Sequence, residues 1–451
     1  MYDDISDSHL SSIYKTHLNR TVNTKTKSLK NLRLCSTSCI RQPGVENTVY
    51  VIADEEHARY GGLQTCRSSW ACPICTPKVM ARKASEIADL IDYMATKKNL
   101  YAFMITFTLP HNKYMPANET FDVLQKVWRK FSKAGSTNKR TLTEYRQTKT
   151  KGERKYTYEK TMGVFPEFRA KYHIDYFVRA YEFTWSAENG WHPHIHCLFF
   201  AEKKYFKYLA KHQQELTDDW FAKAKRSHKK WLQQHNQERD LDELYSEWRK
   251  NPKTGHRSVY FSKDKTGKVR VFSSSAYLAG WGGNSELTKE NRKTGRKNGH
   301  YSPFQLLELA DKAESVQEAN RWFNLFDEYA LATKGRNRIN MTKECKKFIE
   351  EWRLTNEWIE RFKKKVTEKA VEKQHVVFWF TELQWQNICM YETELKINLK
   401  SKILELAILK NPEIEIINFL KSYDIDVSSN LTRTPKSVFY YNRYVLEYNT
   451  G

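Results

Sequence analysis

Three histidines at alternate positions, His192, His194 and His196, lie in the stretch Gly190-Trp191-His192-Pro193-His194-Ile195-His196-Cys197-Leu198-Phe199-Phe200. Alternate side chains of a strand share a face, so the imidazoles fall on one side and Pro193, Ile195, Cys197 and Phe199 on the other. Neutral imidazole is a common ligand for a divalent metal, and two at alternate positions stand about 7 Å apart at roughly 3.3 Å per residue, close enough to share one ion. His194 and His196 are the favoured pair. The competing reading, solvated strand histidines, leaves an aligned row without a purpose.

A carboxylate that completes a His/His/Glu set comes from upstream. Tyr176 to Trp185 also reads as a strand, and Ser186 to Gly190 supply hairpin residues. With that longer loop, Trp185 pairs with Trp191 and Glu182 falls opposite His194 on the same face. A tight Asn189-Gly190 turn would shift the register by one and send Glu182 to the other side.

Five of the eight cysteines, Cys35, Cys39, Cys66, Cys72 and Cys75, lie early in the chain. Cys66, Cys72 and Cys75 have the short spacing that lets thiolates grip a tetrahedral zinc, and Cys35 or Cys39 would close the site. Four protein ligands leave no position for water or substrate, so such a zinc is structural.

These groups need elements to hold them. Apolar residues recur at helical spacing from Lys78 to Lys98 and from Asn118 to Lys133, and Leu100 to His111 is a strand-like run stopped by Pro110. Residues 134–163 form a polar, strongly basic insertion, read as a solvated loop able to track phosphates. The order of strand, helix and hairpin points to an α+β fold in which helices pack on one antiparallel sheet. After it come charged helical segments and a tail, residues 371–451, expected as a small interaction unit.

The chain has 451 residues, 76 Lys+Arg against 53 Asp+Glu and a net charge of +23, which calls for an anionic partner. Its 13 tryptophans suit stacking on unpaired bases as well as core packing. No run of about 18 apolar residues occurs and the start of the chain is acidic, so no membrane partner is expected and the cysteines should be reduced in a soluble cytoplasmic protein. No Gly-x4-Gly-Lys-Ser/Thr loop is present, which leaves strand opening to supercoiling or a host helicase.

Three segments occurring in order, Thr65-Cys66 to Cys72-Pro73-Ile74-Cys75, His194-Ile195-His196, and Tyr277-Leu278-Ala279-Gly280-Trp281-Gly282, resemble the rolling-circle plasmid replication initiators of the HUH endonuclease superfamily. The resemblance spans roughly residues 30 to 345. It implies an HUH-type antiparallel sheet and Cys35, rather than Cys39, as the fourth zinc ligand. It also implies that His194, His196 and Glu182 bind Mg²⁺ or Mn²⁺, with His192 as a spare ligand. Tyr277, on a short helix capped by serines and ended by Gly280, would be the catalytic nucleophile. A phenol with a pKa near 10 attacks poorly without such an ion.

The implied activity is nicking of a single-stranded or hairpin DNA origin in a plasmid or prophage through a 5′-phosphotyrosine, the free 3′ end passing to a host polymerase. The sequence departs from the family pattern at Ser273, where some members carry Glu, and at Ala276 and Gly280, where Lys is usual. The missing Glu removes the candidate base for hydrolytic termination. Two alternatives share the residues: a single-strand transposase or relaxase, and a non-catalytic zinc-containing DNA-binding regulator. The expected organisation is a mobile arm (1–30), a zinc-binding segment (31–85), an endonuclease domain (86–310) and a mainly helical C-terminal region (311–451).

Overall fold

A computed structural model describes residues 7–20, 26–40, 47–54, 57–133, 138–148, 152–250, 258–273, 299–360, 375–395 and 397–431. In chain order its strands are Thr48–Ala53 (β1), Ala58–Gly61 (β2), Tyr101–Thr108 (β3), Asn138–Thr148 (β4), Gly152–Met162 (β5), Phe177–Ser186 (β6), Gly190–Ala201 (β7), Val259–Phe261 (β8), His300–Tyr301 (β9), Ile339–Met341 (β10) and His375–Thr381 (β11). Antiparallel sheets combine with helices, so the fold is α+β. The chain divides into two compact units, one of residues 1–79, 306–331 and 356–451 and one of residues 80–305 and 332–355.

The second unit is built on the sheet β10-β6-β7-β3-β8, with β9 pairing the far end of β6. Period-two alternation explains its two faces. The odd-numbered residues of its central strands form an aromatic core under helices: Phe107 packs on Trp128 and Phe131 of helix Ala117–Ser132, on Phe165 and on Trp220, while Phe199 packs on Phe103, Phe165 and Phe177. Phe121 of the same helix closes over Tyr181 and Phe183. The even-numbered residues, among them Thr106, Thr108, Glu182, His192, His194 and His196, are left for the opposite face. Their neighbours across the strands are fixed by register, Thr106 opposite His196 and Thr108 opposite His194.

The first unit contains the sheet β11-β1-β2, packed by Val49, Val51, Phe378, Phe380, Trp385, Ile388, Ile403 and Leu420. Helix Glu382–Glu394 starts directly after β11 with a capping box between Thr381 and Gln384. Strand β11, from the tail expected as a small interaction unit, is therefore one edge of a sheet whose other strands lie near the start of the chain.

Other segments also differ from expectation. Residues Asp7–Arg20, placed in a mobile arm, form a helix that buries Leu10, Tyr14 and Leu18; Tyr14 donates to Asp327 at 2.8 Å and His17 Nε2 lies 2.9 Å from the same carboxylate. The chain past residue 310 is shared between the units: Ile339–Met341 pairs with β6, and the Tyr181 amide donates to the Arg338 carbonyl at 3.0 Å. The basic run expected as a loop is a two-stranded ribbon, β4 with β5, consistent with its Thr and Tyr content. Tyr277, its short helix, Ala276 and Gly280 lie outside the described residues; Ser273 is exposed. No helix among the described residues is long and apolar enough to cross a membrane.

Candidate metal centres

The hairpin adopts the register that the longer loop requires. Ser186 pairs with Gly190, Trp185 with Trp191, Thr184 with His192, and Glu182 with His194. The turn depends on Gly190, whose φ is +70° and whose missing side chain makes room for the neighbouring loop: a Cβ there would meet Lys113 Cα at 2.8 Å and the Asn112 carbonyl at 2.9 Å.

On this face the Glu182 carboxylate contacts His196 Nε2, both residues being buried. The other nitrogen of His196, Nδ1, is 2.9 Å from the Thr106 hydroxyl. A hydroxyl donates or accepts as required, so Thr106 supports either tautomer. With the ring proton on Nδ1, Nε2 presents a lone pair toward the carboxylate oxygens, which is the donor chemistry of a divalent-cation site. His194 stands beside this pair, its ring 5.8 Å from that of His196 and nearly parallel to it.

His192 continues the row, stacked 4.1 Å from His194. The single proton of the Thr108 hydroxyl goes to the Pro193 carbonyl at 3.1 Å, so the 3.2 Å contact with His192 Nε2 is donated by the imidazole, which fixes its tautomer. Burial pushes the His192 pKa well below the usual value, helped by neighbouring His194, His111 and His300.

His111 was not singled out by the sequence, because it follows the proline that ends β3. It joins the row from the loop, 4.4 Å from His192 and 5.1 Å from Trp248. Its Nδ1 donates to the Asn189 carbonyl at 2.9 Å, leaving Nε2 as a buried lone pair with no hydrogen-bond partner among the described residues. Burial pushes its pKa down to about 4, against a small upward pull from the Asn189 carbonyl. The loop is anchored by Arg239, which reaches Asn112 at 3.5 Å and Glu119 at 3.1 Å; Glu119 in turn meets fully buried His228 at 2.6 Å.

The cysteines form a tighter cluster. Cys35, Cys66, Cys72 and Cys75 have sulfurs all within 4.8 Å of one another, the only group of metal-ligand side chains that close among the described residues. The sulfur of Cys35 is 3.5 Å from those of Cys72 and Cys75. Thiolates about 2.3 Å from a tetrahedral zinc stand about 3.8 Å apart, whereas a disulfide is about 2.05 Å. The spacing fits a metal such as zinc. Amides of Cys66, Ser68 and Cys75 donate to cluster sulfurs at 3.4 to 3.5 Å. Hydrogen bonds from the Cys66 and Cys72 thiols hold the Cys35 pKa down to about 7, and neighbouring thiols also lower Cys75, while Cys35 raises Cys66 and Cys72. Cys39 is elsewhere: it is bridged to Leu63 and packed in the apolar core of β1 and β11.

Similarity to known proteins is distant. Over 330 residues the chain is 23% identical to a Streptomyces lividans protein named "Protein rep", covering 64% of each; over 145 residues it is 29% identical to a "Neomycin resistance protein" of Streptomyces cyanogenus, covering 30% of each. The chain thus spans less than two thirds of the length of these relatives. No family model and no solved structure matches.

Proposed function

We propose that this chain nicks and rejoins DNA to start rolling-circle replication, as an HUH-type endonuclease. The observation that carries the reading is the buried meeting of Glu182 and His196, with His194 beside them, on the sheet face opposite helix Ala117–Ser132. The relative named "Protein rep" supports a replication-related role, and the net charge of +23 suits a DNA partner.

His194, His196 and Glu182, with His192 as a spare ligand, would hold Mg²⁺ or Mn²⁺, which supplies Lewis-acid polarisation of the scissile phosphate. Thr106 and Thr108 orient the imidazoles. The Tyr277 oxygen bonds to phosphorus as the bond to the 3′ oxygen breaks, giving a 5′-phosphotyrosine and a 3′-hydroxyl; the phenol loses one proton and the 3′ oxygen gains one. The reverse transfer rejoins the strand. A host polymerase extends the free end, and a host helicase opens the duplex.

An unpaired origin oligonucleotide with Mn²⁺ should give a covalent adduct that Tyr277→Phe abolishes. An unchanged adduct removes Tyr277 from the mechanism. A second reading, a zinc-containing DNA-binding regulator, draws support from the cysteines being the only ligand set closed among the described residues. It expects origin binding, but no adduct with any divalent cation.

A further inference from the structure

Among the described residues, the ribbon of β4 and β5 joins no other strand. A lone two-stranded ribbon is marginal in water unless another layer supports it. Its register adds a burden: position Arg140 is paired with Lys160 and position Arg146 with Arg154. Like charges at directly opposed positions are destabilising.

Alternation sorts the charges by face. The face of positions 140, 146, 154 and 160 carries four cations and one carboxylate, Glu144, a net of +3; the other sets Lys139 and Lys155 against Glu153 and Glu159, a net of 0. The whole net charge of the paired strands is therefore on one side. Between the two like-charged pairs that same side holds Leu142, Tyr156 and Tyr158.

We infer that this ribbon is an arm that binds duplex DNA, gripping the backbone beside the strand to be cut. The inference rests on the reading of the protein as one that acts on DNA, and not on the Tyr277 chemistry. Eleven residues of strand extend about 36 Å, close to one helical turn of about 34 Å. The two like-charged pairs, six positions apart, stand about 20 Å from each other. That spacing straddles a major groove about 12 Å wide, which admits a two-stranded ribbon. Phosphates on both walls supply counter-charge to a face of net charge +3.

The test compares two variants of equal charge change in the full-length protein, Arg140→Ala/Arg154→Ala on the charged face and Lys139→Ala/Lys155→Ala on the balanced one. Binding to a 20-base-pair duplex is followed by fluorescence anisotropy from 50 to 200 mM salt. The charged-face variant should flatten the plot of log affinity against log salt by about 1.8, for two lost phosphate contacts at about 0.9 each. The balanced-face variant should leave the slope unchanged, and Arg140→Lys/Arg154→Lys should retain it. Equal losses from both faces, an unchanged slope in the charged-face variant, or a loss confined to single-stranded DNA overturns the arm. Adduct formation on an unpaired oligonucleotide is scored separately: wild-type protein that shows the face-dependent slope and forms no adduct keeps the arm and removes the nicking reading.

Discussion

The carboxylate of Glu182 contacts His196, although the hairpin register seats Glu182 opposite His194. The acid leans diagonally across two positions, so one carboxylate touches one imidazole while lying beside another. Glu182→Ala leaves His196 without its Nε2 partner, and the expected cost is about 1–3 kcal/mol of stability. Cation-dependent adduct formation should fall at least about 100-fold, more than for loss of an outer partner. Thr106→Val keeps both ligands and removes the hydroxyl that orients His196, so it should weaken Mn²⁺ affinity, raising the Mn²⁺ concentration needed by about 10- to 100-fold, and leave the rate at saturating metal nearly intact. Adduct yield against Mn²⁺ concentration separates the two. A Thr106→Val curve that overlays wild type sinks the orienting role.

The cysteine cluster makes a sharper distinction between neighbours in sequence. Cys35 is within 3.5 Å of two cluster sulfurs, whereas Cys39, four residues on, is packed among Val49, Phe380 and Trp385. Purified protein should contain one zinc per chain by elemental analysis. Cys35→Ser should lose it; Cys39→Ser should keep it while losing about 1–3 kcal/mol for burying a hydroxyl in an apolar core. Full zinc in the Cys35 variant would assign the site to another residue set.

The parts of this protein that were legible in its sequence are those set by short range. Alternation from His192 to Phe199 gave the face of each residue, and loop length gave the register that brings Glu182 across from His194. The spacing of Cys66, Cys72 and Cys75 gave three quarters of the thiolate cluster. What could not be read was pairing at long range. Nothing near Val376 to Phe380 states that they pair with Val49 to Ile52, more than 300 residues away, or that Ile339 to Met341 complete the edge of β6. His111 was hidden for a related reason, since its place beside His192 is set by the packing of a loop against Gly190 and no local repeat marks it.

An alkaline test probes the helix support of the second unit away from any metal ligand. Tyr93 donates to Glu351, and its phenol is pushed up to about 12, by burial first and then by that carboxylate. Its folded value lies above the unfolded value of 10, so the stability it contributes is fully present below pH 10 and is lost as pH rises toward 12. The difference in melting temperature between wild type and Tyr93→Phe should therefore be constant from pH 8 to about pH 10 and shrink above it. A pH-independent difference would show that the phenol ionises equally well in the folded state.

The last prediction concerns the hairpin turn as a clamp on the histidine row. Gly190 lies at φ +70° with Lys113 Cα and the Asn112 carbonyl inside the space a methyl would need. Alanine there carries two costs: a left-handed backbone disfavoured by about 1 kcal/mol or more for a residue with a Cβ, and displacement of backbone that no side-chain rotation relieves. The displaced loop is the one that places His111 on His192, and Asn189, next to the substitution, supplies the carbonyl that holds His111. Gly190→Ala should therefore destabilise by about 2–4 kcal/mol and perturb the imidazole NMR resonances of both His111 and His192. Asn189→Ala changes the same turn without crowding the loop, and because the His111 contact is to a backbone carbonyl it should preserve those resonances. If Gly190→Ala melts like wild type with both resonances unmoved, the turn does not clamp the loop.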